Sequence, residues 1–322
     1  MLLGVCKNMT KRVAATIGFF DGVHRGHQFL LDSLKQVAAE NDLDTMVITF
    51  TRHPRQVIDP QWIPQLITSS EEKKRLLLEA GIDHVMMLDF DMQLASLSAR
   101  EFMLRMKEEM GVELLLTGYD NRFGHDRRET FNDYVRYGKE IGIDVRCATP
   151  FSLDSTRISS SLVRRFISEG DVRKVTECLG RHYSINGIVV HGYQIGRQLG
   201  YPTANIYPDE TFRIIPSPGV YAVRFCINDG KPLLYVDERS EMEAGFPAML
   251  NIGTRPTFDG HQQTIEAHLF DFNGNLYDRS VTVFFIERLR SEQNFDSPEQ
   301  LMLQMAEDEQ KARSILNSHS TQ

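Results

Sequence analysis

Two histidines that flank a glycine are the first residues whose types and spacing could do chemistry. His24 and His27 lie in the segment GFFDGVHRGH, Gly18–His27, after an apolar strand-like run and before an amphipathic one. A loop between a strand and a helix offers free backbone N–H groups and the positive end of the helix dipole, both suited to phosphate. The imidazoles add donors, and Gly26 keeps the backbone close. The segment therefore predicts a nucleotide loop, although two surface histidines near a turn would look similar.

A second polar segment, RISSSLVR at Arg157–Arg164, lies far along the chain. Three serines at a helix start can cap the helix and donate to phosphate, and Arg164 offers a forked geometry that lysine lacks. Alone, the segment is equally typical of a serine cap beside a solvated arginine. Beside the histidine loop it favours a nucleotide site. The loop is not GxGxxG, so dinucleotide oxidoreductase chemistry loses its main support.

The C-terminal half contains a third polar cluster, GYPTAN, preceded by glycines at 192, 196 and 200. Such glycines permit a loop whose backbone wraps phosphates. Thr203 and Asn205 are two residues apart, so on an extended stretch they point the same way. Their neutral oxygens suit a Mg²⁺ ion already bound to ATP phosphates. A simple turn is the alternative interpretation of Pro-Thr-Ala-Asn.

Glu266 is the candidate general base. In the strand-like segment TIEAHL, alternate residues from Ile265 to Leu269 face one side, while Glu266 and His268 face the other. A carboxylate on a partly enclosed barrel face can accept a proton from a primary hydroxyl. Glutamate titrates near ~4.3 and is ionised at neutral pH. The alternative is that these polar side chains line a solvated face.

Strand and helix signals alternate from about Val13 to Gly180, which predicts a parallel sheet covered by helices on both faces. Two helices carry capping boxes, a serine three residues before a glutamate, followed by a closing glycine. These are Ser69 with Glu72 and Gly81, and Ser98 with Glu101 and Gly111. The other predicted elements are strands at Val13–Gly18, Thr45–Phe50, His84–Leu88 and Leu114–Thr117 and a helix from about His27 to Glu40.

After Gly180 short strands separated by Gly, Pro, Asn and Asp predict an antiparallel barrel. A last helix is expected from Ser297-Pro298 to about Leu316, with proline at its first position. We therefore predict an α/β chain of two domains, residues 1–180 and 181–322. The predicted barrel strands are Tyr183–His191, Val220–Ile227, Leu233–Val236, Ala248–Ile252, Thr264–Phe270 and Val281–Glu287.

Bulk composition narrows the classes of protein. The chain has 322 residues, 41% of them hydrophobic, and a net charge of −8. This negative charge argues against nucleic-acid binding, which normally needs a basic surface. We see no run of about 18 apolar residues and no secretory signal. The four cysteines lie far apart, as expected of reduced thiols. We expect a cytoplasmic enzyme, monomeric or weakly homo-oligomeric, that binds neither nucleic acid nor membrane.

The motifs resemble those of bacterial bifunctional riboflavin kinase/FAD synthetases. GFFDGVHRGH with RISSSLVR is similar to the FMN adenylyltransferase half, one of the His-x-Gly-His nucleotidyltransferases. GYDNRFG resembles a third motif of that half, in which the family more often has Phe where Asn121 stands. In RISSSLVR, Ser161 stands where the family usually has Thr. GYQIGRQLGYPTAN, SPGVYAV, NIGTRPTF, TIEAHLFDF and LRSEQNFDS, in this order, resemble the riboflavin kinase barrel. Tyr277-Asp278 stands where that family usually has Tyr-Gly.

The resemblance implies two ATP-dependent reactions and a role for each motif. The kinase would transfer the γ-phosphoryl group to riboflavin, with Thr203 and Asn205 as Mg²⁺–ATP ligands and Glu266 as base. The adenylyltransferase would join FMN to the α-phosphorus of ATP and release pyrophosphate. Its phosphates would be held by His24, His27, Ser159, Ser160 and Arg164, with further ATP contacts from Gly18, Phe20, Asp21 and Gly26. In the loop that would contact the flavin, the implied residues are Asp120, Asn121 and Arg122. In the kinase, further contacts with ATP would come from Gly192, Gly196, Arg197 and Pro202.

Two other hypotheses remain open at this point. The first is a nucleotidyltransferase for a different phosphorylated acceptor, with the barrel only structural; the GYPTAN and TIEAH segments argue against it. The second is a flavin sensor or nucleic-acid-binding protein that has lost catalysis. The acidic balance and the single tryptophan, Trp62, give little support to nucleic-acid binding.

Overall fold

The computed structural model describes residues 12–118, 121–125, 129–153, 156–192, 201–210, 212–228, 245–257 and 260–318. The chain divides into two compact units, one of Met1–Pro64 with Thr68–Ser160, the other of Gln65–Ile67 with Ser161–Gln322. Residues 161–180 thus group with the second unit. The domain boundary at residue 180 stays a prediction from the motifs.

The first unit is built on a five-stranded parallel sheet, as predicted. The strand order is β3-β2-β1-β4-β5, so the order reverses beside β1. In open α/β sheets the crevice at such a reversal, beyond the carboxyl ends of the strands, is where ligands bind. The histidine loop follows β1 directly. The strands are β1 Val13–Ile17, β2 Asp44–Phe50, β3 His84–Leu88, β4 Val112–Thr117 and β5 Asp144–Cys147.

Helices cover both faces of this sheet, because alternate residues of β1 point in opposite directions. Ala14 packs in one buried cluster with Leu31 and Leu77, whereas Ala15 packs in another with Phe102 and Met106. The helices are α1 Arg25–Glu40, α2 Pro54–Ile58, α3 Ser70–Glu79, α4 Met92–Ala95, α5 Ala99–Met110 and α6 Phe131–Ile141. Two short strands, β6 Ser152–Leu153 and β7 Thr156–Arg157, pair beyond the sheet.

Both predicted capping boxes are confirmed. Ser69 accepts from the backbone N–H of Glu72 at 3.0 Å, and the Glu72 carboxylate accepts from the N–H of Ser69. Ser98 and Glu101 make the same reciprocal pair at the start of α5. Gly111 ends α5 with φ of 70°, a left-handed conformation in which glycine carries no penalty. Local sequence chemistry therefore fixes these helix ends.

The second unit contains α7 Ser160–Glu169, apart from its first residue, α8 Val172–Leu179 and a closed six-stranded barrel. The order is β10-β11-β12-β9-β8-β13, and β13 closes the barrel by pairing with β10. The predicted strand Leu233–Val236 lies outside the described residues. The barrel strands are β8 Tyr183–Val190, β9 Ala204–Pro208, β10 Gly219–Asn228, β11 Phe246–Thr257, β12 Gly260–Leu269 and β13 Ser280–Arg290.

The final helix, α9 Pro298–Ser318, begins at its proline as predicted. Ala312 and Leu316 on α9 are buried in one cluster with Met249 and Phe270 of the barrel. The Asp278 backbone has φ of 61°, a left-handed conformation that glycine adopts without penalty, which explains the glycine at this position in the resembling family. Aspartate can replace it because it tolerates this region better than most residues. Within the described residues, no helix is both long and apolar enough to cross a membrane.

Candidate active sites

The loop between β1 and α1 has an unusual backbone. Phe20 and Val23 have positive φ angles of 55° and 39°, and Gly22 lies between them at 82°. The N–H of Val23 bonds to the Phe20 carbonyl at 3.2 Å, which closes a tight turn. Left-handed backbone at residues other than glycine costs of order 1 to 3 kcal/mol each and persists only when neighbours hold it. Such strain is concentrated at functional sites.

Asp21 and Thr68 hold this turn in place. Asp21 Oδ1 accepts from the Thr68 N–H at 3.1 Å and from its hydroxyl at 3.3 Å. The Thr68 hydroxyl oxygen in turn accepts from the N–H of Gly22 at 3.0 Å. Asp21 and Thr68 are each 3% exposed. The Asp21 side chain therefore orders the loop from behind, and Thr68 is a partner that sequence motifs did not reveal.

His24 and His27 form a stacked pair at the start of α1, with ring centroids 3.6 Å apart and planes inclined by 14°. The helix begins at Arg25, two residues before the prediction, because Nδ1 of His24 accepts from the backbone N–H of His27 and caps it. Burial lowers the pKa of His27 well below its ordinary value, and the positive charges of His24 and Lys73 lower it further. His27 is therefore neutral near pH 7. An anionic ligand beside the ring would favour its protonated form.

The two predicted phosphate segments meet at this loop. The hydroxyl of Ser160 donates to the Asp21 carbonyl at 2.9 Å, although the residues are far apart in sequence. A Cβ on Gly26 would lie 3.2 Å from the Ile158 carbonyl, so glycine permits the close approach of the two segments. A cavity of about 470 Å³ and one of about 260 Å³ flank the loop. The smaller is lined by His24, Gly26, His27, Phe29, Leu30, Gly118, Ala148, Thr149, Pro150, Phe151 and Arg157–Ser160.

The larger cavity of this unit, the aromatic cavity, has six aromatic side chains in its lining. Gly18, Asn121 and Arg122 also line it, together with Phe19, Phe50, His53, Phe90, Phe102 and Phe123. Stacked or edge-on aromatic rings suit a flat conjugated ligand. Asn121 lies where the resembling family more often has phenylalanine, and its amide donates to the carbonyl of Ile17 at the end of β1. Asp120 lies outside the described residues.

Arg164 is half-buried on α7, one turn beyond Ser160, and belongs to the second unit. Its predicted contact with phosphate therefore stays a prediction. Ser159 lines the smaller cavity, and its contact with ATP phosphate also stays a prediction.

Lys73 on α3 is a charged group that the motifs did not identify. Its side chain is 2% exposed, and Nζ donates to the Phe50 carbonyl at 2.7 Å. The run EEKK suggests a solvated helix face. A signal was nevertheless available, because Lys73 precedes the buried Leu76 and Leu77 by three and four residues and so shares their face.

In the barrel, β9 brings the Pro-Thr-Ala-Asn segment against the candidate base. Asn205 pairs in register with Glu266, and the Thr203 hydroxyl donates to Glu266 Oε2 at 3.5 Å. The predicted alternation of β12 is confirmed, since Ile265, Ala267 and Leu269 are buried. The three polar groups therefore converge on one side of the barrel wall.

Two cavities share Thr203. One of about 280 Å³ runs from Val189 and Pro202 to the turn at 272–277, and one of about 740 Å³ includes Glu266 and the start of α9. The backbone carbonyl of Pro202 accepts from Nδ1 of His268 at 2.9 Å, which fixes the strand that leads into Thr203. A phosphoryl donor bound in one cavity and a phosphoryl acceptor bound in the other would meet at Thr203.

Gly192 ends the described segment after β8 and lies against Asn205. A side chain at this position would collide with the Asn205 amide, so glycine is required for Asn205 to keep its place. The predicted phosphate contacts Gly196 and Arg197 lie outside the described residues.

The wall of the larger barrel cavity includes a buried ion pair that sequence motifs did not indicate. Nε of Arg290 on β13 donates to both carboxylate oxygens of Asp308 on α9, at 3.1 and 2.9 Å. Their side chains are 16% and 6% exposed. An exposed pair, Arg313 with Asp271, connects the same helix to the barrel. The buried pair fixes α9 as one side of the cavity.

We expect Asp308→Asn to lower the free energy of unfolding by about 3 kcal/mol, because it leaves the buried Arg290 guanidinium without its counter-charge. Asp271→Asn, the matched change in the exposed pair, should have a much smaller effect, because water screens that pair. Urea unfolding followed by circular dichroism measures both. Equal losses in the two variants would contradict a special role for the buried pair.

A loop of stacked histidines on a parallel sheet, and a barrel with a Thr–Asn strand facing a carboxylate, define a two-domain enzyme of phosphoryl and nucleotidyl transfer. Residues 6–162 match the family model for FAD synthetase, and residues 179–316 match that for riboflavin kinase. The chain belongs to the bifunctional riboflavin kinase/FMN adenylyltransferase family. It phosphorylates riboflavin to FMN and adenylylates FMN to FAD.

Proteins described as bifunctional riboflavin kinase/FMN adenylyltransferase match almost the whole chain. The protein from Escherichia coli K12 is 36% identical, over 92% of this chain and 91% of its own. The protein from Pseudomonas fluorescens is 38% identical, over 94% and 92%. A crystal structure titled a macrolide-efflux protein from Streptococcus pneumoniae is 31% identical, with a TM-score of 0.83 and 94% coverage of both chains. The predicted family, fold class and activities are thereby confirmed.

Proposed function

We propose that the two reactions run at the two sites described above, in domains of residues 1–180 and 181–322. The observation that carries the kinase assignment is that Thr203 lies between two cavities and against Glu266. We assign ATP to the cavity of about 280 Å³ and riboflavin to that of about 740 Å³. The acceptor hydroxyl and the γ-phosphoryl group then meet beside Thr203.

In the kinase reaction Glu266 accepts the proton of the ribityl 5′-hydroxyl as that oxygen attacks the γ-phosphorus. ADP leaves into the smaller cavity. The oxygens of Thr203 and Asn205, adjacent and neutral, fit a Mg²⁺–ATP complex, in which the ion would offset negative charge on the phosphates. Gly192 leaves room for Asn205 to take this position.

In the adenylyltransferase reaction a phosphate oxygen of FMN attacks the α-phosphorus of ATP, and pyrophosphate leaves. We place the isoalloxazine rings in the aromatic cavity and the phosphates at His24 and His27. Ser159 and Ser160, which belong to the same unit as the two histidines, also contact the phosphates. Little covalent help is needed in such a reaction, so positioning and electrostatic stabilisation supply most of the rate.

The compartment, the oligomeric state and the binding partners of the chain remain proposals. We propose a cytoplasmic enzyme, monomeric or weakly homo-oligomeric, with small-molecule partners and no nucleic acid.

Chromatography of the products tests the assignment directly. With riboflavin, ATP and Mg²⁺, the chain should produce FMN first and FAD later, and chelation of Mg²⁺ should stop FMN formation. FMN supplied directly, with ATP and Mg²⁺, should yield FAD. FMN formation that persists after complete Mg²⁺ removal would contradict the roles given to Thr203 and Asn205.

A further inference from the structure

The ammonium group of Lys73 is buried behind the histidine loop. It donates to the carbonyl of Phe50 at the end of β2 and lies 4.0 Å from the ring centroid of Phe19. Phe19 and Phe50 both line the aromatic cavity. Lys73 therefore packs behind two residues of the proposed flavin site, where its charge is shielded from bulk water.

The protein itself compensates this charge only partly. Asp21 attracts it, but Asp21 Oδ1 is already engaged by the N–H and hydroxyl of Thr68. In the described part of the chain, Lys73 forms no ion pair within 4 Å. Burial lowers the pKa of Lys73 to about 8, against the opposing effect of Asp21. A buried cation of this kind gains most from an anion that arrives from outside.

The charge of Lys73 also acts at the other side of the loop. It is one of the causes that lower the pKa of His27, together with burial and His24. The charged and titratable groups that interact with Lys73 are Asp21 from the loop and His27 from the start of α1. The single carboxylate among them that faces Lys73 from the loop is Asp21, within the residues that the structure describes.

We propose that Lys73 is a positioning residue for adenylylation, whose buried positive charge behind the loop stabilises the phosphates at His24 and His27. This rests on the proposed assignment of the loop to phosphate. Lys73 acts through the loop and through Phe19, without a contact to the reacting atoms. The ligand is any polyphosphate at the loop, so pyrophosphate serves as a probe.

Proton uptake on binding is the first test. The whole chain is titrated with magnesium pyrophosphate at pH 8 by calorimetry, in two buffers of different ionisation enthalpy. Because a group with a pKa of about 8 is half-protonated there, the unaltered chain should take up about half a proton more than Lys73→Met. Lys74→Met, at the exposed neighbour on the same helix, should behave like the unaltered chain. Equal uptake by all three would overturn the proposal.

Kinetics give the second test. Lys73→Met should lower kcat for FAD formation from FMN by about 100-fold and change the KM for FMN by less than about threefold, since it removes transition-state stabilisation. FMN formation from riboflavin should stay unchanged in the same variant, and Lys74→Met should change neither reaction. An unchanged kcat in Lys73→Met would refute the role.

The pH profile separates this role from a purely structural one. In the unaltered chain kcat/KM for adenylylation should fall as the pH rises through about 8, because Lys73 loses its charge. Lys73→Arg, which keeps the charge, should retain activity and lose this alkaline limb. A flat profile from pH 7 to about 9.5 in the unaltered chain would overturn the proposal even if Lys73→Met failed to fold. Failure of the site assignment itself would appear separately, as full FAD formation by His27→Ala.

Discussion

Glu266→Gln should reduce FMN formation from riboflavin by about 1000-fold while FAD formation from FMN stays within about twofold of the unaltered chain. Glutamine has nearly the same shape and keeps a hydrogen-bond acceptor for Thr203, but it cannot accept the proton of the ribityl hydroxyl. The loss should therefore appear in kcat, with little change in the KM for riboflavin. Separate assays of the two half-reactions in the whole chain measure it.

Glu292 provides the matched control for this prediction. It lies in the same barrel cavity and carries the same charge, yet it is not the residue beside Thr203 and Asn205. Glu292→Gln should reduce kcat by less than about tenfold, since the local charge changes but the base remains. If the two variants lost FMN formation equally, net charge in the cavity would explain the effect better than a general base.

His27→Ala should have the opposite effect and reduce FAD formation by about 100- to 1000-fold, with FMN formation unchanged. In the proposed site the imidazole is a neutral donor to the phosphates, and removing one donor of this kind costs about 3 to 4 kcal/mol of transition-state stabilisation. His27 is a cleaner target than His24, because His24 also caps α1 and its loss would cost about 1 kcal/mol of helix stability.

His84→Ala is the control for the histidine variant. His84 lies on β3 in the same unit, pairs with Asp44 at 3.2 Å and is partly exposed, so its loss should leave both reactions unchanged. Thermal unfolding of each variant checks that the loop change has not unfolded the unit. Equal damage to both reactions by His27→Ala, or by Glu266→Gln, would contradict two separate sites.

Much of the fold could be predicted because its signals are local. The serine–glutamate caps of α3 and α5 are contacts between residues three positions apart. The proline at the start of α9 acts through its own fixed backbone angle. The short helices α2 and α4 and the strand β9 were not predicted, since five or fewer residues give too little periodicity to detect.

The parts of the site that sequence analysis missed depend on long-range contacts. Asp21 was assigned to ATP, yet its carboxylate binds Thr68, a residue nearly fifty positions away. Lys73 is buried because β2 ends at Phe50 above it, which a helix pattern alone does not show. The sequence motifs indicate the candidate site residues, whereas the residues that position them, such as Thr68, are found only in the structure.

Closure of the barrel by its final strand has a consequence for synthesis on the ribosome. The sheet of the first unit is complete once Cys147 has emerged, but β13 must pair with both β8 and β10, and it ends only at Arg290. Until then β8 and β10 lack their partner and present open strand edges, the usual starting point of aggregation. A chain released early, after β12, would carry the adenylyltransferase sheet beside an unclosed barrel. Translation that stalls in the last quarter of the message is thus the event most hazardous to this protein.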